Sequence, residues 1–193
     1  TPEGRKEVRA ANVVIATGGF EHNAELKRAF LRGPCTHTVA VETNTGDGLK
    51  MAMRIGAMLG NMREAWWMPM IELPTDIVPT GQQLLTYERT LPGAIMVNMS
   101  GNRFMNESLP YVEAGHKMYG GEYGQGAGPA ENIPAWLIFD QQYRDRYIFA
   151  GLQPGQRIPN KWMESGVIVQ ADTVEELAIQ RAMQIANSEE LTR

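Results

Sequence analysis

Three apolar runs and three helical periods organise the chain. In Asn12-Val13-Val14-Ile15-Ala16 and in Ala135-Trp136-Leu137-Ile138-Phe139 the apolar residues follow one another without a polar alternate. A half-solvated strand alternates, so continuous runs of this length predict strands covered on both faces. The first ends in Thr17-Gly18-Gly19, and the second in Asp140 followed by the polar segment 141–147. A third strand is predicted over 93–99, which leads through a Ser100-Gly101-Asn102 turn. Among the helices, Asn23 is the expected N-cap of 24–31, with Gly33-Pro34 stopping it. A Met-rich helix follows the glycines at 46 and 48, with Leu49, Ala52, Met53 and Gly56 on one face. Near the end, Thr173 and Glu176 have the spacing of a capping box, and Val174, Leu177, Ala178 and Ala182 form the stripe expected to face inward.

Between these elements, 66–91 reads as irregular because of its prolines at 69, 74 and 79, and a boundary near 88–91 divides the chain into 1–89 and 90–193. The glycines of 120–130 follow no apolar strand and read as a loop. No internal repeat is present. The expected class is α/β with α+β.

Composition narrows the function. With 193 residues and 43% hydrophobic content there is ample material for a packed core. A formal net charge of -4 argues against a general binder of nucleic-acid backbones. The single cysteine, Cys35, suits a reducing cytoplasm; His37 stands two residues away as a possible base, although a structural role for the thiol is the expectation. No apolar run approaches the roughly 20 residues that span a bilayer, and no signal-peptide pattern opens the chain. The opening "TPEG", with no initiator Met, reads as the interior of a larger protein.

Three segments could carry chemistry. In "VVIATGGF", Gly18 and Gly19 would let a ligand approach the backbone, or simply turn the chain. In "TGDGLKMA", Asp47 between two glycines could accept from a ligand hydroxyl, but Asp-Gly is also a common turn. In "NRFMNESLPY", Arg103, Asn106, Glu107, Ser108 and Tyr111 cluster around Phe104 and Met105 directly behind a strand. Pocket linings mix groups in this way. Equally, Glu107 could pair with Arg103 to pin a loop.

In this order and spacing, "VVIATGGF", "TGDGLKMA", "NRFMNE" and "LIFDQQYRDRY" resemble the flavoprotein family that includes fumarate reductase, succinate dehydrogenase and the 3-ketosteroid Δ1-dehydrogenases. The stretches "NESLPYVEAGHKMYGG", "AWLIFDQQYRDRYIFAG" and "ESGVIVQADTVEELA" look like the steroid branch. The resemblance implies FAD as cofactor, with 1–89 as part of the FAD-binding sheet domain and 90–193 as the substrate-capping domain. It implies that Ala16, Thr17 and Gly18 border the FAD and that Asp47 lies near its flavin end. The family's G-x-G-x-x-G turn and its second glycine-rich segment are absent from this sequence, so the segment alone is expected to be inactive.

For the steroid branch the resemblance implies a tyrosine that takes the C2 proton of a 3-ketosteroid, and Tyr111 matches that position. The substrate would be apolar and steroid-like, with Trp66, Trp67, Met68 and Met70 suited to it, although a cluster of Met and Trp is more often plain core. The alternative within the family is reduction of a small dicarboxylate, with Arg144 as proton donor and Glu107 in its relay. That branch also uses a histidine before the capping domain, where this sequence reads "WWMPMIELP". His116 could be claimed for either reading, but a structural role is expected. A third reading is a non-catalytic capping or interaction domain.

Overall fold

Capping residues set the first two helices. The computed structural model describes Gly4, 7–33, 35–75, Val78, 81–120 and 132–190, the last seven by backbone alone. Helix α1, Ala24–Phe30, starts where Asn23 Oδ1 accepts from the Leu26 N–H at 3.0 Å. The same amide donates to the Thr45 carbonyl, tying the cap to the approach of the next helix. Helix α2, Asp47–Arg54, leaves Gly46, whose φ of 80° is the left-handed conformation that glycine adopts without penalty. Its predicted stripe is covered only at the start: Leu49 and Ala52 are half-buried, Met53 and Gly56 exposed.

The run at 12–16 corrects the first expectation. It is not a strand, and Val13 and Val14 are 79% and 90% exposed. A central strand needs hydrogen-bonding neighbours and covered faces, and no described part of this chain supplies them.

The segment expected to be irregular instead holds a hairpin. Strand β1, Met70–Glu72, pairs antiparallel with β2, Gln82–Leu84, with Met70 opposite Leu84. Pro69 and Pro74 flank β1 and so remove no ladder bond from it. A short 3-10 turn, Glu88–Thr90, follows and is largely buried. Strand β3, Ala94–Val97, lies in the predicted run and pairs antiparallel with β4, Trp136–Phe139, in register from Ala94–Phe139 to Val97–Trp136. Because this sheet has two strands among the described residues, β4 is half-buried along its length and not enclosed as expected.

Between them lies helix α3, Tyr111–Met118. The polar segment after β4 forms helix α4, Gln141–Arg146, because Asp140 caps it by accepting from the Tyr143 N–H at 2.8 Å. Helices α5, Asn160–Glu164, and α6, Val174–Glu190, complete the order. The expected loop at 120–130 lies outside the described residues apart from Gly120.

Two apolar clusters hold this part together. Tyr143, Phe149 and Trp162 pack with Leu73, Leu85 and Leu152, while Met96, Met105 and Ala114 form a smaller group; Leu137 on β4 touches both. Each fully buried large side chain contributes about 1.5–3 kcal/mol relative to exposure. At α6 the Thr173 hydroxyl accepts from the Glu176 N–H, as the predicted cap requires. The predicted inward stripe is corrected: Val174, Ala178 and Ala182 are exposed, since no described element lies over them. The helix docks through half-buried Leu177 and through Arg181, which lies over the Trp136 ring at 5.0 Å. Among the described residues no helix is long and apolar enough to cross a membrane.

Candidate functional site

The segment after β3 is built around one carboxylate. Asn98 turns the chain by accepting on its side-chain oxygen from the N–H groups of Ser100 and Asn102. This brings Arg103 back beside Val97 in an isolated bridge and aims the following residues along β3. Glu107 is 5% exposed and accepts from the Met96 N–H at 2.9 Å and from Arg103 Nε at 3.0 Å and Nη2 at 2.5 Å. Burial alone would raise its pKa. The bonds from Arg103 and from the backbone N–H groups of Met96 and of Glu107 itself, with the Arg103 charge, outweigh that and hold the carboxyl below its ordinary 4.5. Behind it, the buried Arg89 donates to the backbone carbonyls of Glu107 and Leu109. An open groove of about 710 Å³ lies alongside, lined by Arg103, Phe104, Met105, Asn106, Leu109 and Lys117.

Tyr111 is the first residue of α3, is half-buried, and its hydroxyl makes no hydrogen bond among the described residues. Arg144 is arranged quite differently. It is 5% exposed, and its guanidinium donates to the carbonyls of Tyr147 (2.9 Å), Gln153 (3.2 Å) and Gln156 (2.7 Å), pinning the loop after α4.

The four residues expected at the cofactor are brought together. Thr17 and Ile15 lie against Gly48, where a Cβ would strike both side chains, and Gly18 leaves room in the same way for Asn44. The Gly46 N–H donates to the Gly19 carbonyl at 3.0 Å, which closes the contact between the extended segment and the start of α2. Ala16, Thr17 and Gly18 are exposed with backbone groups unpaired among the described residues, and the Asp47 carboxylate beside them is exposed as well. Free backbone donors and acceptors with a free carboxylate suit the amide- and hydroxyl-rich rim of FAD, so these residues fit that group.

The remaining candidates divide. Trp67 is buried, edge-on to Tyr119 at 5.0 Å, and belongs to the packing; Trp66 is 82% exposed. Burial pushes the Cys35 thiol up, its sulfur points at the His37 carbonyl, and the His37 ring faces Thr36 and Glu72, so His37 does not serve the thiol as a base. His116 bonds Glu64 at 3.0 Å. The sequence reading missed Arg89, Arg32 and Glu64. Their partners lie between 18 and 52 residues away, and no local pattern marks them.

The profile of the FAD binding domain family matches residues 1–184. A 3-oxosteroid 1-dehydrogenase of Mycolicibacterium smegmatis is 61% identical over 168 residues, which are 86% of this chain and 29% of that protein. A solved structure of a 3-ketosteroid delta1-dehydrogenase from Sterolibacterium denitrificans, in complex with 1,4-androstadiene-3,17-dione, superposes with a TM-score of 0.62 at 38% identity, covering 75% of this chain and 26% of that one. A fumarate reductase (cytochrome) of Shewanella frigidimarina is more distant, 31% identical over 76% of this chain and 24% of its own length. The chain thus spans less than a third of the relatives it matches.

Proposed function

We propose that this chain, which belongs to the FAD binding domain family, forms one wall of the flavin site and the substrate-capping part of an FAD-dependent 3-ketosteroid 1-dehydrogenase. Residues 1–89 are the flavin-side portion and 90–193 the capping portion. Ala16, Thr17, Gly18 and Asp47 would hold the cofactor.

Dehydrogenation between C1 and C2 of a 3-ketosteroid removes a proton beside the ketone and a hydride from its neighbour. FAD, when bound, supplies the acceptor for the hydride. The proton is the protein's task, and Tyr111 is the residue we assign to it. A phenol of ordinary pKa about 10 needs a donor or cation that favours the phenolate. Trp66, with its indole exposed, offers apolar surface for the steroid. A cytoplasmic location is part of the same proposal, supported by the lone thiol of Cys35.

One observation favours the steroid over the dicarboxylate reading. An arginine that donates a proton must present an N–H to the substrate, whereas Arg144 is buried and turns both terminal nitrogens to the backbone carbonyls of Tyr147, Gln153 and Gln156. Glu107 is likewise committed to Arg103 and Met96.

The test uses the flavin-loaded full-length protein under anaerobic conditions. The 1,2-dihydro counterpart of 1,4-androstadiene-3,17-dione should bleach the flavin, and fumarate should not reoxidise it. Arg144→Met should lower stability while the rate per bound flavin persists. Fumarate reoxidation that requires Arg144, with no bleaching by a 3-ketosteroid, would replace this reading with the dicarboxylate one. Residues 1–193 alone, without a G-x-G-x-x-G turn, should purify colourless, and a stoichiometric flavin spectrum would contradict that.

A further inference from the structure

We infer that Arg32, Glu64 and His116 form a latch that positions Tyr111 by fixing α3 against the flavin-side region; this rests on Tyr111 being the proton acceptor. One carboxylate is gripped from two sides. Glu64 Oε1 takes the Arg32 guanidinium, and Glu64 Oε2 lies 3.0 Å from His116 Nε2. The arginine and histidine side chains are only 5% and 12% exposed, although the glutamate between them is 42% exposed.

Each polar contact has a packing contact beside it. Trp67, three residues after Glu64, lies against Gly115, where a Cβ would collide with it. Gly33, next to Arg32, lies in the same way against the Tyr119 ring. Two short segments, 32–33 and 64–67, therefore meet α3 and its C-cap at 115, 116 and 119. Residues four apart share a helix face, so Tyr111 stands one turn before Gly115 on the face that is held. It is also roughly 7.5 Å along the axis from His116, at 1.5 Å per residue.

Packing against a glycine sets how closely α3 approaches, but it resists rotation weakly. A directional bond from His116 to a carboxylate that Arg32 holds in place fixes the rotation, and with it the direction in which the Tyr111 phenol points. An error of about 1 Å in a reacting group can cost about a hundredfold in rate. The role assigned to the three residues is positioning, because none need touch substrate or cofactor.

The experiment compares His116→Leu, His116→Gln and Glu64→Gln in the flavin-loaded full-length enzyme. Removing the bond with His116→Leu should slow flavin reduction by the 3-ketosteroid about tenfold or more per bound flavin, with steroid Kd unchanged. His116→Gln keeps an N–H able to reach Glu64 and should recover to within about threefold. If His116→Leu does not fold, Glu64→Gln, which keeps shape and removes charge, should show the same slowing. A loss of flavin-loaded protein at an unchanged rate per flavin would reduce the contact to ordinary structure and overturn the inference. A second readout needs no turnover: in thermal unfolding, Glu64→Gln combined with His116→Leu should lower Tm no more than the larger single loss. Additive losses would mean the two side chains are not coupled, and the latch would fall. A wild type that no 3-ketosteroid bleaches overturns the steroid reading, and the latch is then judged on this cycle.

Discussion

Between residues 7 and 66 no described apolar side chain is fully buried, whereas from Trp67 to Trp162 the chain encloses two clusters around Tyr143, Phe149 and Trp162 and around Met96, Met105 and Ala114. The first region is not short of apolar residues. Val13, Val14, Ile55 and Met58 are all at least 79% exposed, in segments as hydrophobic as those that build the clusters. What differs is whether another element of the chain lies over them. The second region folds its strands and helices onto one another; the first is held by caps, glycine contacts and the Arg32–Glu64 pair. Apolar sequence alone therefore does not make a core; an element that covers it does.

The largest expected effect tests the second region. Trp162 is 0% exposed, and Trp162→Ala should cost about 3–5 kcal/mol in chemical denaturation. Next is the clamp at Glu107. Glu107→Ala strands the buried Met96 N–H and unpairs Arg103, and should cost about 3 kcal/mol. A loss below about 1 kcal/mol would mean that the carboxylate is effectively solvated. The clamp has a pH signature as well. The folded pKa of Glu107 lies below the ordinary 4.5, so its stabilisation is present above 4.5 and is lost as pH falls through the folded value. The stability gap between wild type and Glu107→Gln should therefore be full near neutral pH and shrink below 4.5. The smallest effect belongs to the first region. At 90% exposure Val14→Ala should change stability by no more than about 0.5 kcal/mol, and a loss above about 1 kcal/mol would break the contrast.

Local chemistry made much of this fold legible. Asn23 and Asp140 cap as their residue types suggest, and β3 and β4 lie within the two apolar runs that find each other. The run at 12–16 reads identically but has no pairing neighbour among the described residues, and a strand is a property of a pair. The hairpin at 70–84 was hidden by its prolines, which punctuate its strand and do not interrupt it. Helix α3 was obscured by Gly115, a poor helix former that is present because Trp67 packs on it. At the site, the Arg103–Glu107 pair could be read from its spacing. Arg89 and the Glu64–His116 contact could not, since their partners come together only through the tertiary fold.

If Tyr111 accepts the proton from a 3-ketosteroid, its hydroxyl is needed for flavin reduction and not for steroid binding. Anaerobic stopped-flow bleaching should be followed in the flavin-loaded full-length enzyme and its Tyr111→Phe variant, with steroid affinity measured by titration of each. The variant keeps the ring and loses only the hydroxyl, so reduction should slow at least about a hundredfold while steroid Kd changes little. A variant reduced by the steroid within about threefold of the wild-type rate would remove Tyr111 from the chemistry.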